Sequence, residues 1–267
     1  MAFKAALNTI TIKNAPLLEK IKVAAEAGFQ GIGLWSGELE QHKRDSGSLD
    51  GVRAALKAGG LEVAEICFVG GWMWAEGEAR EKAYASCERT FALGREVGSP
   101  VVIACASEGR RSRDRAVADF AELCDLAAGY GVTAALEFIG PFQMVKDVAS
   151  AWDIVQAAGR DNAALLIDTF HFYRGGSRVG DLARVPGGKV ALVHINDVVD
   201  APLEQLTDAQ RVLPGEGVLP LDDILRVLER QGYDGYLSLE LFNPELWEQD
   251  PMAVGKRSRE TLRGWTG

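Results

Sequence analysis

The sequence is poor in the residues that staple or metallate small secreted proteins. Its four cysteines, Cys67, Cys87, Cys105 and Cys124, are widely spaced and form no Cys-x-x-Cys pair. That excludes a thiolate-rich zinc module and reads as reduced thiols, so a cytoplasmic location is expected. Histidine is scarcer still, with only His42, His171 and His194. No run approaches the ~20 apolar residues of a membrane span. The N-terminal stretch lacks an apolar segment followed by a cleavage site, so no secretory leader is expected. Basic residues are outnumbered by acidic ones, 29 to 38, for a net charge of -9. An acidic surface disfavours non-specific binding to nucleic acid or to anionic membranes. No Gly-x-Gly-x-x-Gly turn follows the first strand-like run, and no linker or low-complexity segment divides the chain, so one domain over residues 1–267 is expected.

What is present is alternation. Short apolar runs at residues 5–11, 31–35, 62–69, 101–106, 133–139, 164–169, 190–196 and 236–241 have strand length and content. Helical patterns at 17–27, 49–58, 78–97, 113–128, 148–158, 221–231 and 253–265 lie between and after them, most stopped by a glycine. Strict alternation implies parallel strands joined by right-handed crossovers. About eight such units in 267 residues, against ~250 typical of a (β/α)8 TIM barrel, favour a closed α/β barrel over an open doubly wound sheet.

The late strand-like runs share a second property. Ala134-Ala-Leu ends in Glu137, Leu165-Leu-Ile in Asp168, Ala191-Leu-Val in His194, and Leu237-Ser-Leu in Glu240. Taken singly, such a carboxylate often caps the next helix, and such a histidine is often a hydrogen-bonded core residue. Together they would ring one mouth of a barrel. Three carboxylates and one imidazole suit a divalent ion such as Mn²⁺, Mg²⁺, Co²⁺ or Zn²⁺. Without a cation three adjacent carboxylates repel one another.

Other candidates lie nearby. His171 follows Asp168 by three residues and reads as a substrate contact or a fifth ligand, the first preferred, against a loop histidine bonded to backbone. Arg211 sits in the longest connection, residues 197–220, where a guanidinium can hold a substrate oxygen or simply form a salt bridge. Trp72-Met-Trp74, just past the third strand-like run, reads as an apolar wall against sugar C–H faces or as ordinary packing of a loop onto the barrel, with Trp72 a substrate-binding candidate; Trp35, at a strand end, is a further substrate-binding candidate. Cys67 is a weak nucleophile candidate, because no Cys–His pairing is visible. Arg110, Arg111, Arg113 and Arg115 form a basic run that reads as a solvated helix start or a weak phosphate site. Residues 241–247 offer apolar side chains for a homo-oligomer contact.

Three segments carry a family resemblance: Ala-Leu-Glu-Phe-Ile-Gly at 135–140, Leu-Ile-Asp-Thr-Phe-His-Phe at 166–172 and Val-His-Ile-Asn-Asp at 193–197. They resemble the xylose-isomerase-like barrels, the sugar isomerases and epimerases. Residues 206–217 and 238–245 are similar to the inosose (2-keto-myo-inositol) isomerases within that group. The resemblance is strong from about residue 131 onward; the first half matches in element order alone. It implies one divalent ion on Glu137, Asp168, His194 and Glu240, with Glu137 and Glu240 as a proton-transfer pair. It implies a small keto-sugar or keto-cyclitol as substrate, isomerised or epimerised through a metal-stabilised enediolate. It places His171 and Arg211 against substrate oxygens and leaves Trp35, Cys67, Phe68, Trp72 and Trp74 unassigned. A dehydratase acting on an inosose or on 3-dehydroshikimate is the rival on the same scaffold. A nuclease of the endonuclease IV type conflicts with three histidines and an acidic chain, and a silent sugar-binding barrel conflicts with the retained glutamates.

Overall fold

A computed structural model describes residues 3–109 and 112–267. Its centre is a closed barrel of eight parallel strands. These are β1 (Lys4–Asn8), β2 (Gly31–Trp35), β3 (Glu62–Val69), β4 (Val101–Cys105), β5 (Thr133–Glu137), β6 (Ala163–Asp168), β7 (Val190–Ile195) and, after the short β8 (Asp197–Val198) and β9 (Arg211–Val212), β10 (Tyr236–Leu239). Helices α1 (Leu17–Glu26), α2 (Ser36–Ser46), α3 (Asp50–Gly59), α4 (Gly77–Val97), α5 (Arg113–Ala128), α6 (Val148–Ala158), α7 (Thr169–Arg174), α8 (Val179–Leu182), α9 (Leu221–Arg230), α10 (Pro244–Trp247) and α11 (Pro251–Thr261) make up the helical elements. Among the described residues no helix is long and apolar enough to cross a membrane.

The strands form where the apolar runs predict them, because each is buried on two faces. Outward side chains such as Leu7, Leu136, Ile167 and Val193 join the helices in one apolar layer. Inward side chains, including Ala6, Ile103, Ala135, Leu166 and Leu192, fill a separate small core inside the barrel. Two glycines end helices as the sequence suggests: Gly98 (φ 78°) and Gly159 (φ 61°) adopt the left-handed conformation that terminates α4 and α6.

β2 and β3 match the expected spans, whereas the other six strands end one to three residues before the expected ends, where the chain leaves the ladder for the loops at the barrel mouth. The first run is the clearest case. β1 stops at Asn8, and residues 9–12 coil into a 3-10 turn capped by the Asn8 side chain. The connection over residues 197–220 is not a bare loop. β8 and β9 pair antiparallel within it, Asp197 opposite Val212. Residues 241–247 are not the exposed apolar strip that an oligomer contact requires. Leu241 and Leu246 are buried, and the Trp247 indole donates to the Ile10 carbonyl at 2.7 Å.

Candidate active site

The four strand-end side chains expected to meet do meet. Glu137 closes β5, Asp168 closes β6, His194 lies in β7, and Glu240 follows β10. Asp168 and His194 are paired across the β6–β7 ladder. The Nδ1 atom of His194 lies 3.3 Å from Glu240 Oε2, 3.9 Å from Asp168 Oδ2 and 4.0 Å from Glu137 Oε1. All four residues are buried. Glu137, His194 and Glu240 line a cavity of about 320 Å³ together with His171 and Arg211, and Asp168 stands beside them, 3.9 Å from His194 Nδ1. That volume is at the lower end for ligand sites, which suits a monosaccharide-sized molecule.

The electrostatics are those of a crowded acidic cluster. Burial, with Glu240 and Asp168 nearby, pushes the Glu137 carboxyl up to about 8. Burial also opposes charge on Asp168, but Arg211, His171 and His194 outweigh it and hold that carboxyl well below its usual range. For His194 burial works against the imidazolium, and Glu240, Cys67 and Glu65 together reverse it and raise the group well above its ordinary value. Yet neither ring nitrogen of His194 has a hydrogen-bond partner among the described residues. A buried imidazole with both nitrogens unsatisfied is costly. One nitrogen facing three carboxylate oxygens is a donor set that fits a single divalent cation. Glu137, Asp168 and His194 offer ligand atoms mutually within 4.8 Å.

The surrounding residues fall into place unevenly. His171 lines the cavity, and its Nδ1 accepts from the Gly140 amide at 3.3 Å. That bond leaves the proton of the neutral ring on Nε2. Burial pulls the His171 pKa down, with Arg211 adding to the effect against Asp168. Arg211 also reaches the cavity, but its donors go to carboxylates. Nη1 donates to Asp168 at 2.7 Å and to Glu240 at 3.0 Å, while Nη2 and Nε donate to Asp208 at 2.6 and 3.1 Å. Its guanidinium lies over the rings of Phe170 and Phe242, at 4.8 and 5.2 Å. Trp35 lines the cavity, edge-on to Phe68 and Phe242. The apolar wall is therefore Trp35, Phe68 and Phe242.

Trp72 is not part of that wall. It is fully buried with its ring 5.9 Å from Phe120, away from the cavity. The loop after β3 turns toward α5, where buried Asp119 accepts from the Trp74 amide at 2.9 Å and from Arg80 and Arg115 at 3.0 and 2.8 Å. Cys67 does line the cavity, but burial pushes its thiol up to about 12, so it stays protonated. In the basic run, Arg110 and Arg111 lie outside the described residues. Arg113 pairs with Asp153, and Arg115 is tied to Asp119 and Glu76, so neither awaits a phosphate.

Two buried residues went unread in the sequence. Asn8 accepts from the Trp35 indole at 2.8 Å and donates to Glu240 at 3.3 Å and Glu65 at 3.2 Å. Glu65 lies under the far side of the His194 ring, 3.6 Å from Nε2. The one available signal was a lone acid inside the apolar run Val63-Ala-Glu-Ile-Cys67.

Known proteins resemble this chain in sequence and in fold. An inosose isomerase of Halalkalibacterium halodurans is 42% identical over 141 residues, which is 52% of this chain and 50% of that protein. The chain thus spans about half the length of the inosose isomerases it matches. A 3-dehydroshikimate dehydratase of Pseudomonas aeruginosa is 28% identical over 232 residues, 85% of this chain and 36% of that protein. The crystal structure of an IolI protein with a bound zinc atom superposes with a TM-score of 0.93 at 26% identity, covering 99% of this chain and 100% of that one. The family model for the xylose isomerase-like TIM barrel matches residues 21–264. The chain belongs to the xylose isomerase-like TIM barrel family.

Proposed function

We propose that this protein is a divalent-metal-dependent isomerase or epimerase of a keto-sugar or keto-cyclitol of the inosose type. The observation that carries the reading is the convergence of three buried carboxylates on one unpartnered nitrogen of His194. Support comes also from the 42% identity to an inosose isomerase over the half of the chain that is aligned. Glu137, Asp168, His194 and Glu240 would hold the ion. When bound, a divalent cation supplies Lewis-acid polarisation of a substrate carbonyl, which acidifies the neighbouring C–H.

The chain's own residues do the rest. Glu137 and Glu240 reach the cavity from strands separated by β6 and β7 around the barrel. One takes the proton next to the carbonyl and the other returns one, a contribution of ~10²- to 10⁴-fold. His171, with Nδ1 satisfied by Gly140, offers its Nε2 proton to a substrate oxygen. Arg211 keeps Asp168 ionised and orients Glu240. Trp35, Phe68 and Phe242 cover the apolar C–H face of a polyol and shield the site from water.

The test is a panel of keto-inositols and ketohexoses, offered to protein reconstituted with Mn²⁺, Zn²⁺, Co²⁺ or Mg²⁺. Products are read by NMR and mass. An isomer of unchanged mass supports the reading. Loss of one water assigns the protein to the dehydratases instead, as its 85% coverage by a 3-dehydroshikimate dehydratase match makes worth testing.

A further inference from the structure

One buried acid inside the barrel is used neither as a ligand nor in proton transfer. Glu65 is fully buried in β3. It projects inward where the β2–β3 register shifts between Ile32 and Gly33, leaving Gly33 opposite Glu65. Such shifts re-aim side chains next to active sites. Room for this carboxylate exists only because Gly33 has no side chain: a Cβ there would lie 1.9 Å from Glu65 Oε1. Oε1 accepts from Ser238 at 2.7 Å and from Asn8 at 3.2 Å. Oε2 has no partner among the described residues. Two neutral donors do not balance a buried carboxylate, which normally has a cationic or metal-linked partner. The same Oε1 lies 3.6 Å from His194 Nε2, which has no hydrogen-bond partner among the described residues. The opposite ring nitrogen, Nδ1, faces Glu240, Asp168 and Glu137.

We infer that Glu65 is a positioning residue: it holds His194 with its proton on Nε2, so that the Nδ1 lone pair is turned to the metal-binding carboxylates. Histidine ligands commonly give their second N–H to a carboxylate, which fixes the tautomer and the ring orientation. Gly33, Ser238 and Asn8 then act as the seat of that carboxylate. Asn8 further links it to Glu240 and to the rim residue Trp35. The inference rests on the single-ion reading of the site given above. A different use of the same atoms, a second ion held by Glu65, Cys67 and Nε2, is an outcome of the test.

The experiment titrates zinc into the metal-free full chain by calorimetry, for wild type, Glu65→Leu and Glu65→Gln. It also records ¹⁵N spectra of the zinc-loaded proteins labelled at histidine, with His194 assigned by its loss in His194→Asn. One zinc per chain is expected in wild type, with Nε2 of His194 protonated and slow to exchange. Glu65→Leu should weaken the zinc Kd by about 10- to 100-fold and lose that exchange protection. Glu65→Gln, which keeps a side-chain oxygen, should fall between the two. Should the leucine variant fail to fold, the glutamine variant decides by the same two readouts. Wild-type zinc binding and unchanged His194 resonances in the folded variants overturn the inference alone. Two zinc ions in wild type, one of them lost in both variants, overturn it by making Glu65 a ligand. A wild-type chain that takes up no divalent ion removes the single-ion reading and the inference with it.

Discussion

At the scale of single residues, the site is a problem of charge placement. Arg211 is the one guanidinium among the described groups that touches both Asp168 and Glu240. It does so through Nη1 while two further nitrogens bind Asp208. A lysine offers one point charge and no fork. Arg211→Lys is therefore expected to lower turnover by at least tenfold while the barrel stays folded; steady-state kinetics beside circular dichroism check it, and wild-type kinetics would refute the role. Gly33→Ala drives a methyl into the Glu65 carboxylate. Overpacking of that kind costs about 1–3 kcal/mol, so its denaturation midpoint should fall, and fall less in Gly33→Ala combined with Glu65→Ala. The strand-end residues were legible because each interrupts an apolar run at its last position. Glu65 was not, because it sits inside its run and reaches the interior through a register shift that composition does not record. Trp72 misled because a loop tryptophan gives no sign of its direction; the buried acid Asp119 on α5, which binds the Trp74 backbone, decides it.

At the scale of elements, the connection over residues 197–220 is what carries Arg211 to the site. Asp197 is its hub. The buried carboxylate accepts from the amides of Val198 at 2.9 Å, Gly215 at 3.0 Å and Leu219 at 2.9 Å. Val198, Leu206 and Leu219 pack on Phe170 beneath it. Asp197→Ala leaves the buried amides of Val198 and Leu219 without that acceptor, each worth about 1–3 kcal/mol when unsatisfied, and releases the Gly215 amide. The expected result is faster proteolysis within residues 197–220 and loss of activity, with the remaining barrel still protected; cleavage elsewhere first would argue against the hub. The sequence marks this connection by length and by its prolines and glycines, yet the β8–β9 pair inside it is too short for a periodic signal. Helix α2 was missed for a related reason. It follows β2 without a loop, and Leu39 is its one fully buried side chain, so it carries no apolar stripe. The long helices α4, α5 and α6 were read within a residue, because their glycine stops and buried faces agree.

For the whole molecule, barrel closure brings residues as far apart in sequence as Asn8 and Glu240 into one hydrogen-bonded layer. On the function proposed above, a cation held by four strands would tie that layer together and bind only the folded chain. At about 100 times its Kd a ligand adds ~2.7 kcal/mol of stability. Chelation should therefore lower the melting temperature, and restoring the ion should recover it; a melting temperature indifferent to chelator would contradict a shared site. Element order and barrel closure were legible from the strict alternation of strand and helix. The cavity lining from the first half of the chain was less so, because Trp35, Cys67, Phe68, Ile103 and Cys105 carry no charge that would mark them.

The most direct measurement of the central claim is proton exchange. Metal-loaded wild type, Glu137→Gln and Glu240→Gln are incubated in D₂O with the keto substrate, and the carbon next to the carbonyl is followed by NMR. Wild type should place deuterium on that carbon and form the isomer without loss of water. Each glutamine variant should slow both by ~10²-fold or more while still binding the ion more weakly. Exchange at the wild-type rate in both variants would contradict the account.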